Sequence, residues 1–196
     1  ERSRLLDGTA ARPGDAIVGL AASGLHANGF SLVRRVVAEA RLALDGPYGG
    51  AVRRAFDCTM SEAEGLVEPG LLERTLGEVL LTPTRIYARD LLAIRAGLEA
   101  AGRELRGIAH VTGGGLPGNV PRTLPAALGA RLDPATWPVP SVIRMIGALA
   151  RLSDAELRAT FNAGLGMVLV VPPDAAGPTV ELARGRGIPD RKSTRL

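Results

Sequence analysis

The sequence is poor in several residue types that chemistry often needs. It has one cysteine, Cys58, so no disulfide forms within the chain and no cysteine cluster can hold a metal. It has two histidines, His26 and His110, and one lysine, Lys192. Aromatic residues make up 3% of it, so a core must come from Leu, Val, Ile and Ala. No apolar run reaches the length of a membrane span, since Met167 to Val171 is far too short, and the polar start ERSRLLDG is not a signal peptide. The phosphate-loop signature GK[ST], the zinc signature H-E-x-x-H and the nucleophile elbow G-x-S-x-G are absent. These absences leave no obvious metal site, and the single cysteine fits a reducing cytoplasm.

What is present is an ordinary soluble composition, 46% hydrophobic and 22% charged over 196 residues, enough for one domain or one and a half. The net charge of +4 comes from arginines scattered along helix faces without interleaved aromatics, which argues against a nucleic-acid surface. Residues 15–22 are apolar enough for a buried strand, and Phe30, Val33, Val36 and Val37 lie at helical spacing after the loop SGLHANG. Residues 45–70 read as an irregular excursion rich in glycine and proline. A helix is expected from Thr82-Pro83 to Gly102, with Thr82 as its cap. RGIAHVT (106–112) reads as a strand ending in glycines, and LGARLD (128–133) as a brief strand. Ser141 opens a helix, Ser153 and Glu156 make a capping box, MVLVV is a strand, and a helix covers about 174–184. Alternating strands and helices predict an α/β (α+β) fold with a mixed sheet layered by helices.

Both histidines sit beside glycine-rich turns. A strand that runs into glycines and then a helix exposes consecutive backbone N–H groups, an anion cradle supported by the helix dipole. Ser23, Asn28 and Thr112 add side-chain donors there. Two such turns point to a ligand bearing phosphate. The spacing G-x-G-x-x-G at Gly113, Gly115 and Gly118, with Asp133 downstream, matches a dinucleotide fingerprint, but Pro117, Pro121 and Pro125 interrupt the helix that fold requires. Asp15, Asp45, Asp133 and Asp154 read as turn and cap residues, and Cys58 as inert.

Four ordered stretches, GDAIVGLAASGLHANGFSLVRR, LGEVLLTPTRIYARD, IAHVTGGGLPGNVPR and TFNAGLGMVLVVP, resemble the phosphoribosylformylglycinamidine cyclo-ligases, also called aminoimidazole ribonucleotide synthetases. They cover most of residues 13–173. The resemblance implies an α/β C-terminal domain over 13–186, with 1–12 as the edge of an ATP-binding N-terminal domain and 187–196 as a tail foreign to the family. It implies ATP and Mg2+, bound mainly by that other domain, a nucleotide substrate, no partnership with nucleic acid or membrane, and a cytoplasmic homodimer. The reaction implied is ATP-driven closure of the imidazole ring of formylglycinamidine ribonucleotide in purine biosynthesis, beyond the reach of one half alone. Ser23, Gly24, His26, Asn28 and Gly29 are expected to line the cleft, with His26 acting in catalysis. His110, Thr112, Gly113, Gly114 and Gly115 are expected to hold phosphate. Asn162 and Gly164 read as structural, and Arg85 as a solvated residue at a helix start. Selenophosphate synthetases, hydrogenase-maturation proteins and formylglycinamide ribonucleotide amidotransferases share the two-domain design, while TPTRIY and HVTGGG favour the cyclo-ligase. GIPDRKSTRL lacks a strand pattern, which predicts a missing closing strand and an open sheet edge.

Overall fold

Strands β1 (Ala16–Ala21) and β3 (Leu165–Val171) are buried along their whole length, so the sheet they form is covered on both faces. Their side chains alternate between two cores. Ile17, Leu165, Val168 and Val170 join one; Ala16, Val18, Leu20, Met167, Leu169 and Val171 join the other. A computed structural model describes residues 5–188 with their side chains and the backbone of 190–195. Residues 1–4 of the expected domain edge, and Pro189 and Leu196 of the tail, lie outside the described residues.

The larger core is filled by α1 (Phe30–Glu39), α2 (Tyr48–Phe56), α3 (Met60–Leu66), α4 (Leu76–Leu80), α6 (Gly115–Asn119), α7 (Ser141–Leu149) and α8 (Asp154–Thr160). The smaller one lies under α5 (Ala88–Ala100) and α9 (Ala176–Gly185), which contribute Ile94, Leu98 and Ala183. The order across the sheet is β2-β3-β1-β4, with β2 at Gly107–His110 and β4 at Asp190–Arg195. The expected layering of helices on a sheet is present, although every neighbouring pair is antiparallel where a mixed sheet was expected. Among the described residues no helix is long and apolar enough to cross a membrane.

Several local expectations need correction. The 45–70 segment is largely helical: α2 and α3 fall inside it, and Thr59 with Glu62 forms a capping box at the start of α3. Glycine content hid them, because tertiary packing of Tyr48 and Val52 outweighs weak propensity. Thr82 does not cap α5. Its hydroxyl donates back to the Val79 carbonyl at 2.9 Å, closing the end of α4, and α5 starts at Ala88. Residues 128–133 form no strand; Asp133 instead accepts from the Ala135 N–H and caps a 3-10 turn, Pro134–Thr136. The tail is the clearest reversal. Asp190–Arg195 pairs antiparallel with β1 and covers the sheet edge expected to be open. Ladder bonding needs only free backbone groups on β1, and charged sequences are common on edge strands, so no apolar alternation announces this one.

Candidate functional site

β1 and β2 run the same way, with β3 antiparallel between them. Three connections therefore meet at one end of the sheet: the loop leaving β1, the loop leaving β2 and the turn entering β3. Leu20, Met167 and His110 occupy one row across the three strands. This brings Ser23, Gly24, His26, Asn28 and Gly29 to the same end as His110, Thr112, Gly113, Gly114 and Gly115. Asn28 Nδ2 spans the two groups, donating to the Val111 carbonyl at 3.5 Å.

The loop after β2 divides into an open part and a packed part. Gly113 and Gly114 are exposed, and a Cβ at Gly113 would meet nothing within 4 Å. Among the described residues their N–H groups donate to no protein acceptor. These two amides, on exposed residues, have no protein acceptor, as an anion cradle needs. Gly115 differs: its N–H closes a turn on Thr112 O, and its Cα packs against the backbone at the end of α8. Gly115 therefore serves close packing and lies outside the cradle. The expected dipole contribution is also corrected, since α6 has five residues, too few for a strong macrodipole.

Two hydroxyls expected as ligand donors are already engaged. Thr112 Oγ1 donates to Asn119 Oδ1 at 3.2 Å, and Ser23 Oγ donates to Pro83 O at 2.7 Å. Asn119, which is not among the residues expected at the site, is buried and donates three bonds, to the carbonyls of Thr112, Gly113 and Gly115 at 3.4, 3.2 and 2.7 Å. It fixes the loop from beneath, so the Gly113 and Gly114 amides are held in place without a ligand.

His26 is 4% exposed and sits at φ 57, a left-handed conformation rare outside glycine. The Ser23 N–H donates to its Nε2 at 3.0 Å, which puts the ring proton on Nδ1. Nδ1 is buried without a partner. Burial, reinforced by nearby His110, lowers its pKa from 6.5 to about 4. Its lone pair is thus spent on the backbone, and it stays neutral through the physiological range. The ring expected to move protons is thus held in the turn by its bond from the Ser23 N–H. Because its folded pKa is depressed, the unfolded chain takes up the proton first. Stability from this residue is present above pH 6.5 and lost as pH falls toward 4. That loss is expected to be about 3 kcal/mol. Urea unfolding at pH 7 and pH 4 should give a His26→Gln variant a smaller acid loss than the wild type by about that amount. Equal acid losses would refute a buried neutral imidazole.

Asn162 is fully buried and donates to the carbonyls of Gly24 and Leu25 at 2.8 and 3.2 Å, while its Oδ1 accepts from Gly164 N at 2.8 Å. It pins the β1 loop to the turn before β3. Tyr87, from TPTRIY, donates its hydroxyl to Ala21 O at 2.6 Å, and burial pushes its pKa up to about 12. Arg85 is not a solvated residue. Its guanidinium bonds Asp90 at 3.2 Å and the carbonyls of Arg186 and Gly187 at 3.1 and 3.2 Å, tying the approach to α5 to the end of α9. Among the described residues no group of three or more His, Cys, Asp or Glu side chains is placed to hold a metal ion.

The family described as AIR synthase related protein, C-terminal domain, matches residues 12–191. A phosphoribosylformylglycinamidine cyclo-ligase of Sorangium cellulosum is 48% identical over 181 residues, covering 92% of this chain and 45% of that protein. Proteins of the same name from Myxococcus xanthus and Geobacillus kaustophilus are 40% and 42% identical, each covering 96% of this chain and 47% of the relative. The chain thus spans about half the length of the curated relatives it matches. With the match running from the turn before β1 into β4, the chain belongs to the AIR synthase related protein C-terminal domain family.

Proposed function

We propose that this chain forms the substrate-side wall of an ATP-dependent cyclo-ligase that converts formylglycinamidine ribonucleotide into aminoimidazole ribonucleotide. The observation that carries this reading is the pair of unengaged amides on the exposed residues Gly113 and Gly114, in a chain whose relatives bear the cyclo-ligase name. A ribonucleotide phosphate accepts hydrogen bonds from such a pair without any change in the loop, since Asn119 already holds it. Exposed His110 stands at the rim as a further donor.

When bound, ATP with magnesium supplies the phosphoryl group that turns an unreactive amide oxygen into a leaving group. The part of this chain is orientation. Closing a five-membered ring is an intramolecular attack, and a fixed phosphate at one end restrains the nucleophilic nitrogen near its target. We take the working protein to be a cytoplasmic homodimer.

The test is a chimera in which residues 12–191 replace the matching part of the Sorangium cellulosum cyclo-ligase. Formylglycinamidine ribonucleotide and ATP should yield the aminoimidazole product, within about tenfold of the parent rate. A folded chimera that binds ATP but makes no product would remove the assignment.

A further inference from the structure

The segment Thr82–Tyr87 belongs to no helix or strand and works as a strap between two corners of the fold. Toward the β1 loop, the Tyr87 hydroxyl donates to Ala21 O at 2.6 Å, and Pro83 O accepts from the Ser23 hydroxyl at 2.7 Å. These two bonds bracket the residues where β1 leaves the sheet. At the other corner, Arg85 donates to the carbonyls of Arg186 and Gly187 and pairs with Asp90. Asp90 also takes Arg186 Nε at 2.6 Å, so this anchor is doubly held. The Arg85 guanidinium lies 5.9 Å from the centre of the Tyr87 ring, which joins the two ends of the strap. Tyr87 is 5% exposed, and its ring centre is 6.2 Å from that of His26. Gly166 of β3 makes room for both, since a Cβ there would overlap the Tyr87 hydroxyl and His26 Cε1. His26 in turn takes the Ser23 N–H on Nε2. Tyr87, Ser23 and His26 thus close a frame around the start of the β1 loop.

The glycine cradle is held by other means. Asn119 and the Gly115 N–H on Thr112 O fix the loop after β2, and Asn28 Nδ2 on Val111 O is the long bond between the two loops. Two loops that meet at one end of the sheet are therefore fixed by separate devices. We infer that Tyr87 is a positioning residue, which sets the β1 loop through Ala21 and His26 and leaves the phosphate cradle alone. On the cyclo-ligase reading, on which the catalytic part rests, phosphate lies on Gly113 and Gly114. The β1 loop then faces the part of the substrate where the ring closes. Loosening that loop costs orientation of the reacting groups, which enters kcat, and spares phosphate binding, which enters KM.

The experiment has two arms, both with Tyr87→Phe, which keeps the ring and removes the hydroxyl. In the full chain, hydrogen exchange at Ala22 and Ser23, whose N–H groups bond Gly164 O and His26 Nε2, should quicken about fivefold. Exchange at Gly115 and Gly118, bonded to Thr112 O and Gly114 O, should not change. In the chimera, kcat per folded molecule should fall at least about tenfold, with KM for formylglycinamidine ribonucleotide within about twofold. A merely structural tyrosine would lower stability and leave kcat per folded molecule as it was. Arg85→Gln keeps Tyr87 in place and Asp90 on Arg186, so it serves if Tyr87→Phe folds poorly. It should give the same pattern with about a threefold fall in kcat. Unchanged exchange at Ala22 and Ser23, equal quickening at Gly115 and Gly118, or unchanged kcat in an active chimera overturns the positioning role. Quickened exchange confined to the β1 loop, with a parent chimera that makes no product, would overturn the cyclo-ligase reading and leave the hold of the strap on the loop standing.

Discussion

Gly115→Ala should destabilise the protein by more than about 3 kcal/mol, although it adds a single methyl group. Gly115 has φ +57, and an ideal Cβ there lies 1.8 Å from the Arg158 carbonyl oxygen and 2.8 Å from that of Phe161. Both are backbone atoms at the end of α8, so no side-chain rotation relieves the overlap. The left-handed backbone adds about 1–2 kcal/mol for any residue with a Cβ. Relief requires the loop after β2 to move off α8, which displaces the amides of Gly113 and Gly114. Gly113→Ala is the control: its Cβ enters open space, and stability should stay within about 0.5 kcal/mol of wild type. Its added methyl should still reduce affinity for inorganic phosphate at the exposed amides. Urea denaturation separates the two variants, and a Gly115→Ala protein of normal stability would contradict the close packing described.

Asn162→Ala is the second large effect expected, a loss of about 3 kcal/mol. Removing this fully buried amide strands the carbonyls of Gly24 and Leu25 and the Gly164 N–H, all on buried residues. An unpaired buried group costs about 1–3 kcal/mol, and relaxation of the loop recovers part of the sum. Asn162→Asp should be no better, because it sets a negative charge against two carbonyl oxygens. Faster hydrogen exchange at Leu25 to Asn28 should accompany the loss in either variant. Unchanged exchange there would show that Asn162 does not hold the β1 loop.

Burial of β1 and β3 was legible because their apolar runs are short, dense and bounded by glycine or proline, and the Ser153–Glu156 capping box was legible because it is a local device. The helices α2 and α3 were not, since their support comes from Tyr48 and Val52 packing into a distant core. At the site, the sequence identified the glycine turns and both histidines. It missed Asn119, which lies four residues beyond Gly115 and reveals its role only once its side chain folds back beneath the loop.

The two glycine turns and the family that carries them were determined by the sequence alone, because residue type and order are enough to specify both. What each group does there was decided by the tertiary structure. A backbone N–H occupies the Nε2 of His26, and α8 ends against Gly115. The hydroxyls of Thr112 and Ser23 are engaged by neighbouring acceptors, while the Gly113 and Gly114 amides have none among the described residues. The tail became β4 because β1 offered it a ladder. A hydrogen bond depends on where the partner stands, and the partners in these cases come from other segments of the chain or from a turn that only the fold sets.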